Sequence, residues 1–162
     1  MPDVVARSLV LGALVLLGPG AQAQLLEKKA LSLEAARKMV AAAEGEAERN
    51  QWRGVIAVVD DGGWLIVLER MNNAAMTASV ELAEGKARSA ALFKKPTQAL
   101  EDAINHGRYA AITARGFIEM QGGLPVVVDG AVIGGIGASF ATPEEDEQVA
   151  KAGLAGLGQW AG

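Results

Sequence analysis

The sequence predicts an α+β fold, an antiparallel sheet flanked by helices in the order α-ββ-αα-ββ-α. Three observations lead there. Two pairs of short apolar runs are each joined by a tight turn, Asp60-Asp61-Gly62-Gly63 and Asp129-Gly130, and so read as hairpins. The segments around them carry helical periodicity. Paired hairpins favour antiparallel pairing, with the helices segregated against the sheet.

Residues 31–50 open the order as a helix. Ser32 can cap it, Glu34 suits its first turn, and Leu33, Ala36, Val40, Ala43 and Ala47 share a face. Residues 55–59 are continuously apolar, as in a central strand buried on both faces, and 64–68 return after the turn. Asn72-Asn73 marks a loop. Residues 76–93 form a second helix rich in small side chains, which allow close approach to a sheet or another helix. Pro96-Thr97 restarts the chain into a short helix over 98–105 that stops at Gly107. The stretch 108–123 reads as a loop with one helical turn. Residues 124–128 and 131–139 form the second hairpin, where Gly134, Gly135 and Gly137 mark a bulge or the close approach of a backbone or ligand. Thr142 and Glu145 have capping-box spacing, Pro143 takes the first helical position, and Val149, Leu154 and Leu157 give the last helix its apolar face.

Composition narrows the function classes. The chain has 162 residues, 51% hydrophobic and 21% charged, with a net charge of −4, so nucleic acid, which needs clustered cations, is not an expected partner. The absence of cysteine excludes disulfides, thiol catalysis and iron–sulfur clusters. Phosphate-loop, dinucleotide and nucleophile-elbow motifs are missing, and one histidine cannot supply a multi-histidine metal site.

Residues 1–23 read as a secretory signal peptide, leaving a single domain over 24–162. Arg7 precedes an uncharged apolar run over 9–17, Gly18-Pro19-Gly20 breaks it, and Ala21-Gln22-Ala23 supplies the small-x-small cleavage pattern. The run is shorter than the roughly 20 residues that span a bilayer. A periplasmic or secreted protein with no membrane span in its mature form is expected.

Several segments resemble the GlcG/HbpS family. They are Val58-Val59-Asp60-Asp61-Gly62-Gly63, Leu68-Glu69-Arg70-Met71, Lys86-Ala87-Arg88-Ser89-Ala90-Ala91-Leu92-Phe93, Gly122-Gly123-Leu124-Pro125-Val126-Val127-Val128-Asp129-Gly130, and Ile133-Gly134-Gly135-Ile136-Gly137-Ala138-Ser139. The similarity covers nearly all of the chain after the signal, in order. It implies a profilin-like fold and homo-oligomers up to octamers. It also implies haem binding, with haem degradation or extracellular redox sensing in some members, and a relationship to the C-terminal domain of certain corrinoid adenosyltransferases. The family's glycine after the strand-ending serine is here Phe140, a ring that can narrow a pocket or wall it.

Under that resemblance His106, the sole histidine, is the candidate axial ligand of haem iron, and its bland alternative is a helix C-terminal residue. Tyr109 and Met120 are substitute ligands or packing residues. Lys86 and Arg88 are candidates for haem propionates, or simply the solvated side of a helix. Glu144, Glu145, Asp146 and Glu147 offset the dipole of the last helix or form a surface iron or calcium site. Three functions follow: an exported haem or tetrapyrrole binder, an enzyme or helper of organic-acid catabolism with a basic pocket at Lys86, Arg88 and Gly122-Gly123, or an oligomeric structural or sensory subunit.

Overall fold

The computed structural model describes residues 26–158; the expected signal peptide and its cleavage junction lie outside them. The elements follow the expected order: α1 (Leu33–Arg49), β1 (Val55–Asp60), β2 (Leu65–Arg70), α2 (Ser79–Phe93), α3 (Thr97–Asn105), a 3₁₀ turn at Tyr109–Thr113, β3 (Gly123–Val128), β4 (Ala131–Ser139) and α4 (Pro143–Gly156). The four strands pair antiparallel in the order β2-β1-β4-β3, so the two hairpins meet along β1 and β4. The fold is α+β, as the hairpin pattern predicts.

Local chemistry sets the boundaries. Ser32 Oγ accepts the Ala35 N–H at 3.1 Å and starts α1. Asp60 Oδ1 accepts the N–H groups of Gly62 and Trp64, each at 2.9 Å, which closes the first hairpin turn. Thr142 Oγ1 accepts the Glu145 N–H at 3.3 Å, while Glu145 reaches back to the Ala141 N–H at 3.1 Å. That is a capping box displaced by one residue on its return arm. Helix α2 begins at Ser79 rather than at residue 76, and it ends where Lys94 turns left-handed at φ 56° just before Pro96.

The core lies on both faces of β1. Val55, Ile56, Ala57, Val58 and Val59 are all buried. Ile56 and Val58 pack with Met39, Val40 and Val149 from α1 and α4, and Val55, Ala57 and Val59 pack with Ala83, Ala87 and Ala91 of α2. A strand covered on both sides has no polar face, hence its unbroken apolar run.

The glycines of β4 and the alanines of α2 are one feature. A Cβ on Gly135 would stand 2.3 Å from the Ala87 carbonyl oxygen, and one on Gly137 2.2 Å from that of Ala83. The backbone that approaches β4 is therefore that of α2. The expected bulge is also present, between Val126 and Val127 opposite β4. Ala83, Ala87, Ala90 and Ala91 of α2 are buried in packing inside the chain.

Candidate functional site

The excursion between α2 and β3 is largely exposed or half-buried. Its two ends are tied by one side chain: Thr97 Oγ1 accepts the Gly123 N–H at 2.8 Å and donates to the Gly123 carbonyl at 3.3 Å. Within α3 only Thr97 is buried, although Leu100 and Ile104 stand one turn apart on an apolar face. This excursion is held at its base and open along its length.

His106 caps the C-terminus of α3 and is exposed. Its Nδ1 lies 2.6 Å from the Asp102 carbonyl oxygen. A carbonyl oxygen only accepts, so Nδ1 carries the proton and Nε2 of the neutral ring keeps a bare lone pair. The bland and the functional readings of His106 thus describe one geometry: the bond that caps the helix also fixes the tautomer. Tyr109 begins the 3₁₀ turn and is 67% exposed.

Two clefts open on this excursion. The larger, about 600 Å³, is lined by Phe93, Leu100 and several alanines, with Lys95, Arg108 and Glu119 as its charged residues. The smaller, about 290 Å³, is walled by Ile104, Ile112, Phe117 and Ile118, with Met120, Glu101 and Glu119. Phe117 meets Phe93 edge to face at 4.8 Å between centroids. Glu119 belongs to both clefts, and its Oε2 is buried with no hydrogen-bond partner. Neither His106 nor Tyr109 is among the described residues lining either cleft; Arg108, between them in sequence, lines the larger.

Lys86, Met120 and Phe140 come together elsewhere, around a pocket of about 90 Å³ beside the start of α4. Lys86 is buried there, its Nζ 2.5 Å from Asp146 Oδ2 and 3.3 Å from the Ala138 carbonyl. Asp146 Oδ1 accepts the Phe140 N–H. Burial pushes the Asp146 carboxyl above its ordinary value, against the opposing pull of Lys86 and the Phe140 amide. Phe140 is buried, with its ring against Gly54, and forms an aromatic wall of this pocket.

Lys86 and Arg88 do not share a site. Two residues apart on a helix, they point to nearly opposite sides. Arg88 lies over the Trp64 ring at 5.4 Å, near the first hairpin, whereas Lys86 faces Gly122 and α4. The basic groups beside the larger cleft of the excursion are Lys95 and Arg108 instead. The acidic run disperses: Asp146 turns inward, Glu145 caps, and Glu147 pairs with Gln121 and Lys151. Among the described residues no three His, Cys, Asp or Glu side chains are grouped to hold a metal ion, and no helix is long and apolar enough to cross a membrane.

Sequence reasoning missed Lys95, Arg108 and Glu119 as site residues and placed Asp146 only in a surface acidic run, whereas it is buried against Lys86. A signal for the buried pair existed. Asp146 precedes buried Val149, Ala150 and Gly153 at spacings of three, four and seven, and Lys86 falls in line with buried Ser79, Ala83 and Ala90. Nothing in local periodicity marks Glu119, whose surroundings come from the fold of a loop.

Comparison with known proteins gives a consistent picture. Residues 31–155 match the family model described as haem degrading protein HbpS-like. Protein GlcG of Escherichia coli K12 is 44% identical over 112 residues, covering 69% of this chain and 83% of that protein. The crystal structure of HbpS superposes with a TM-score of 0.78 at 35% identity, covering 87% of this chain and 98% of that one. The crystal structure of a PduOC:heme complex superposes with a TM-score of 0.74 at 30% identity, covering 80% and 96%.

Proposed function

Because this chain belongs to the family of haem-degrading HbpS-like proteins, we propose that it binds haem on the excursion between α2 and β3, with His106 Nε2 as the axial nitrogen. The observation that carries the assignment is the 2.6 Å contact of His106 Nδ1 with the Asp102 carbonyl. A ligating imidazole is usually held this way, its second nitrogen donating to a fixed acceptor so that the first is oriented and more basic. The residues present fit the group in two further respects. The 600 Å³ cleft, whose lining reaches Arg108 two residues beyond His106 but does not include His106 itself, offers Phe93, Leu100 and alanines for a macrocycle, and Lys95 and Arg108 are cations for its propionates. Tyr109 and Met120, exposed by 67% and 48%, are the substitute ligands if His106 is not used.

Bound haem supplies a redox-active iron, as haem degradation or redox sensing requires. The chain's part would be to surround the ring with apolar side chains, neutralise its carboxylates with Lys95 and Arg108 and present one nitrogen. The test is an absorbance titration of the protein from Gln24 onward with haem. A saturable Soret shift at a fixed ratio of haem to chain supports the reading; a featureless rise without saturation sinks it. Peroxide added to the complex then distinguishes degradation, which bleaches the Soret band with protein present, from simple carriage.

The same reading includes export and self-association. The charge, apolar run and small-x-small pattern of residues 1–23 support export, tested by fractionating cells and sequencing the mature N-terminus. Exposed Tyr109, Ile112 and Met120 support association, tested by light scattering.

A further inference from the structure

Residues 117–119 lie where the two clefts adjoin. Phe117 and Ile118 wall the smaller cleft, Glu119 lines both, and Phe93 lines the larger. The bed of this segment is α2, at Gly85, Ser89 and Phe93. These three follow one another at spacings of four and so share a face of the helix. The Ile118 N–H donates to the buried Ser89 Oγ at 2.9 Å. The ring of Phe117 meets that of Phe93 edge to face. A Cβ on Gly85 would stand 2.2 Å from Ile118 Cγ1 and 3.0 Å from Ile118 Cβ. Ile118 therefore fills the place where any other residue at position 85 would carry its side chain.

A glycine inside a helix costs stability relative to alanine. At position 85 the missing methyl is what lets the loop seat itself on α2. An alanine would have to push Ile118 aside, and a β-branched side chain has little rotamer freedom with which to yield. The displacement passes to the loop backbone, and from there to Phe117 and Glu119 on either side.

We propose that Gly85 is a positioning residue for haem, a role that rests on haem occupying the larger cleft. By admitting Ile118, whose amide Ser89 holds, Gly85 sets Phe117 against Phe93 and so fixes the aromatic wall on which the macrocycle lies. Gly85 is not among the described residues lining either cleft, and it acts through Ile118 and Phe117 on Phe93.

Haem titrations followed at the Soret band test this on the protein from Gln24 onward, as wild type, Gly85→Ala and Gly85→Ala/Ile118→Ala. Gly85→Ala is expected to weaken haem binding about tenfold, the scale of one aromatic contact, and to displace the Soret maximum of the complex. The second change removes Ile118 Cγ1 and makes room for the new methyl. It is expected to return affinity to within about threefold of the wild type and the Soret maximum to its place. A general loss of stability would not be relieved by truncating a second packed side chain.

If Gly85→Ala does not fold, amide exchange in the wild type decides. Haem is then expected to slow exchange of the Ile118 amide about fivefold or more and to leave the Gly62 amide of the first hairpin turn unaffected. A Gly85→Ala variant with wild-type affinity and Soret position overturns the positioning role alone, as does a double variant no better than the single one, or Ile118 exchange that haem leaves unchanged. Absence of a saturable shift in the wild type overturns it together with haem binding.

Discussion

Lys86 of α2 and Asp146 of α4 form a buried ion pair that joins helices on opposite faces of the sheet, with Nζ and Oδ2 2.5 Å apart and side chains only 2% and 7% exposed. The pair passes around the end of β4, where Lys86 also donates to Ala138 and Asp146 receives the Phe140 amide. It is a clasp between the two helical layers.

Removing one partner leaves the other charge uncompensated in a site built for two. Lys86→Met is expected to cost about 3–5 kcal/mol, while the double change Lys86→Met/Asp146→Leu recovers most of that loss. Urea denaturation of the wild type and both variants at neutral pH reads the difference. A double variant as unstable as the single one would mean that the charges themselves are not what the site requires.

The pair also sets a pH dependence. Burial holds the Asp146 carboxyl above its ordinary value, so the folded protein takes up this proton more readily than the unfolded chain. The group's contribution to stability is therefore fullest below the unfolded value of about 3.9 and declines as pH rises through the raised one. Lys86→Met removes the cation that opposes the shift and moves that decline to higher pH. Measured from pH 4 to 7, Lys86→Met should lose stability relative to Lys86→Met/Asp146→Leu as pH increases. A constant or narrowing gap would show that Asp146 is not raised.

Two glycines should respond oppositely to alanine. In a strand the change normally gains about 0.5–1 kcal/mol from the unfolded chain's lost freedom. At Gly137 the new Cβ would meet the Ala83 carbonyl oxygen at 2.2 Å, so overpacking of about 1–3 kcal/mol prevails and the Tm falls. At Gly45, within α1, its nearest neighbour would be Arg49 Nη1 at 3.6 Å, an ordinary contact, so helix propensity prevails and the Tm rises. A Gly137→Ala variant as stable as the wild type would contradict the close seating of α2 on β4.

The propionate assignment is separable from the iron ligand. Arg108→Ala should weaken haem binding about tenfold, the scale of one charge-assisted hydrogen bond. Haem dimethyl ester should bind wild type and Arg108→Ala alike. A tenfold loss that persists with the ester would place Arg108 in a packing role.

The fold was legible because its signals are local. The Asp60–Gly63 turn, the apolar run of β1 and the Thr142-Pro143 start of α4 each encode their geometry within a few residues. The excursion was less so: 3₁₀ turn and loop follow from ties such as Thr97 to Gly123, 26 residues apart, which no periodicity reveals. Lys86 was read as a surface or ligand-facing cation because lysines are seldom buried, and its partner is 60 residues away. His106 could be singled out as the sole histidine, yet its tautomer became visible only with the Asp102 carbonyl in place.

The most direct test of the haem reading compares haem titrations of the wild type and His106→Ala, each followed at the Soret band and repeated with added imidazole. With His106 as the iron ligand, the wild type shows a saturable shift, the variant loses or displaces it, and imidazole filling the vacated ligand position restores it. An identical shift in both proteins, indifferent to imidazole, would contradict His106 as the iron ligand and turn attention to Tyr109 and Met120.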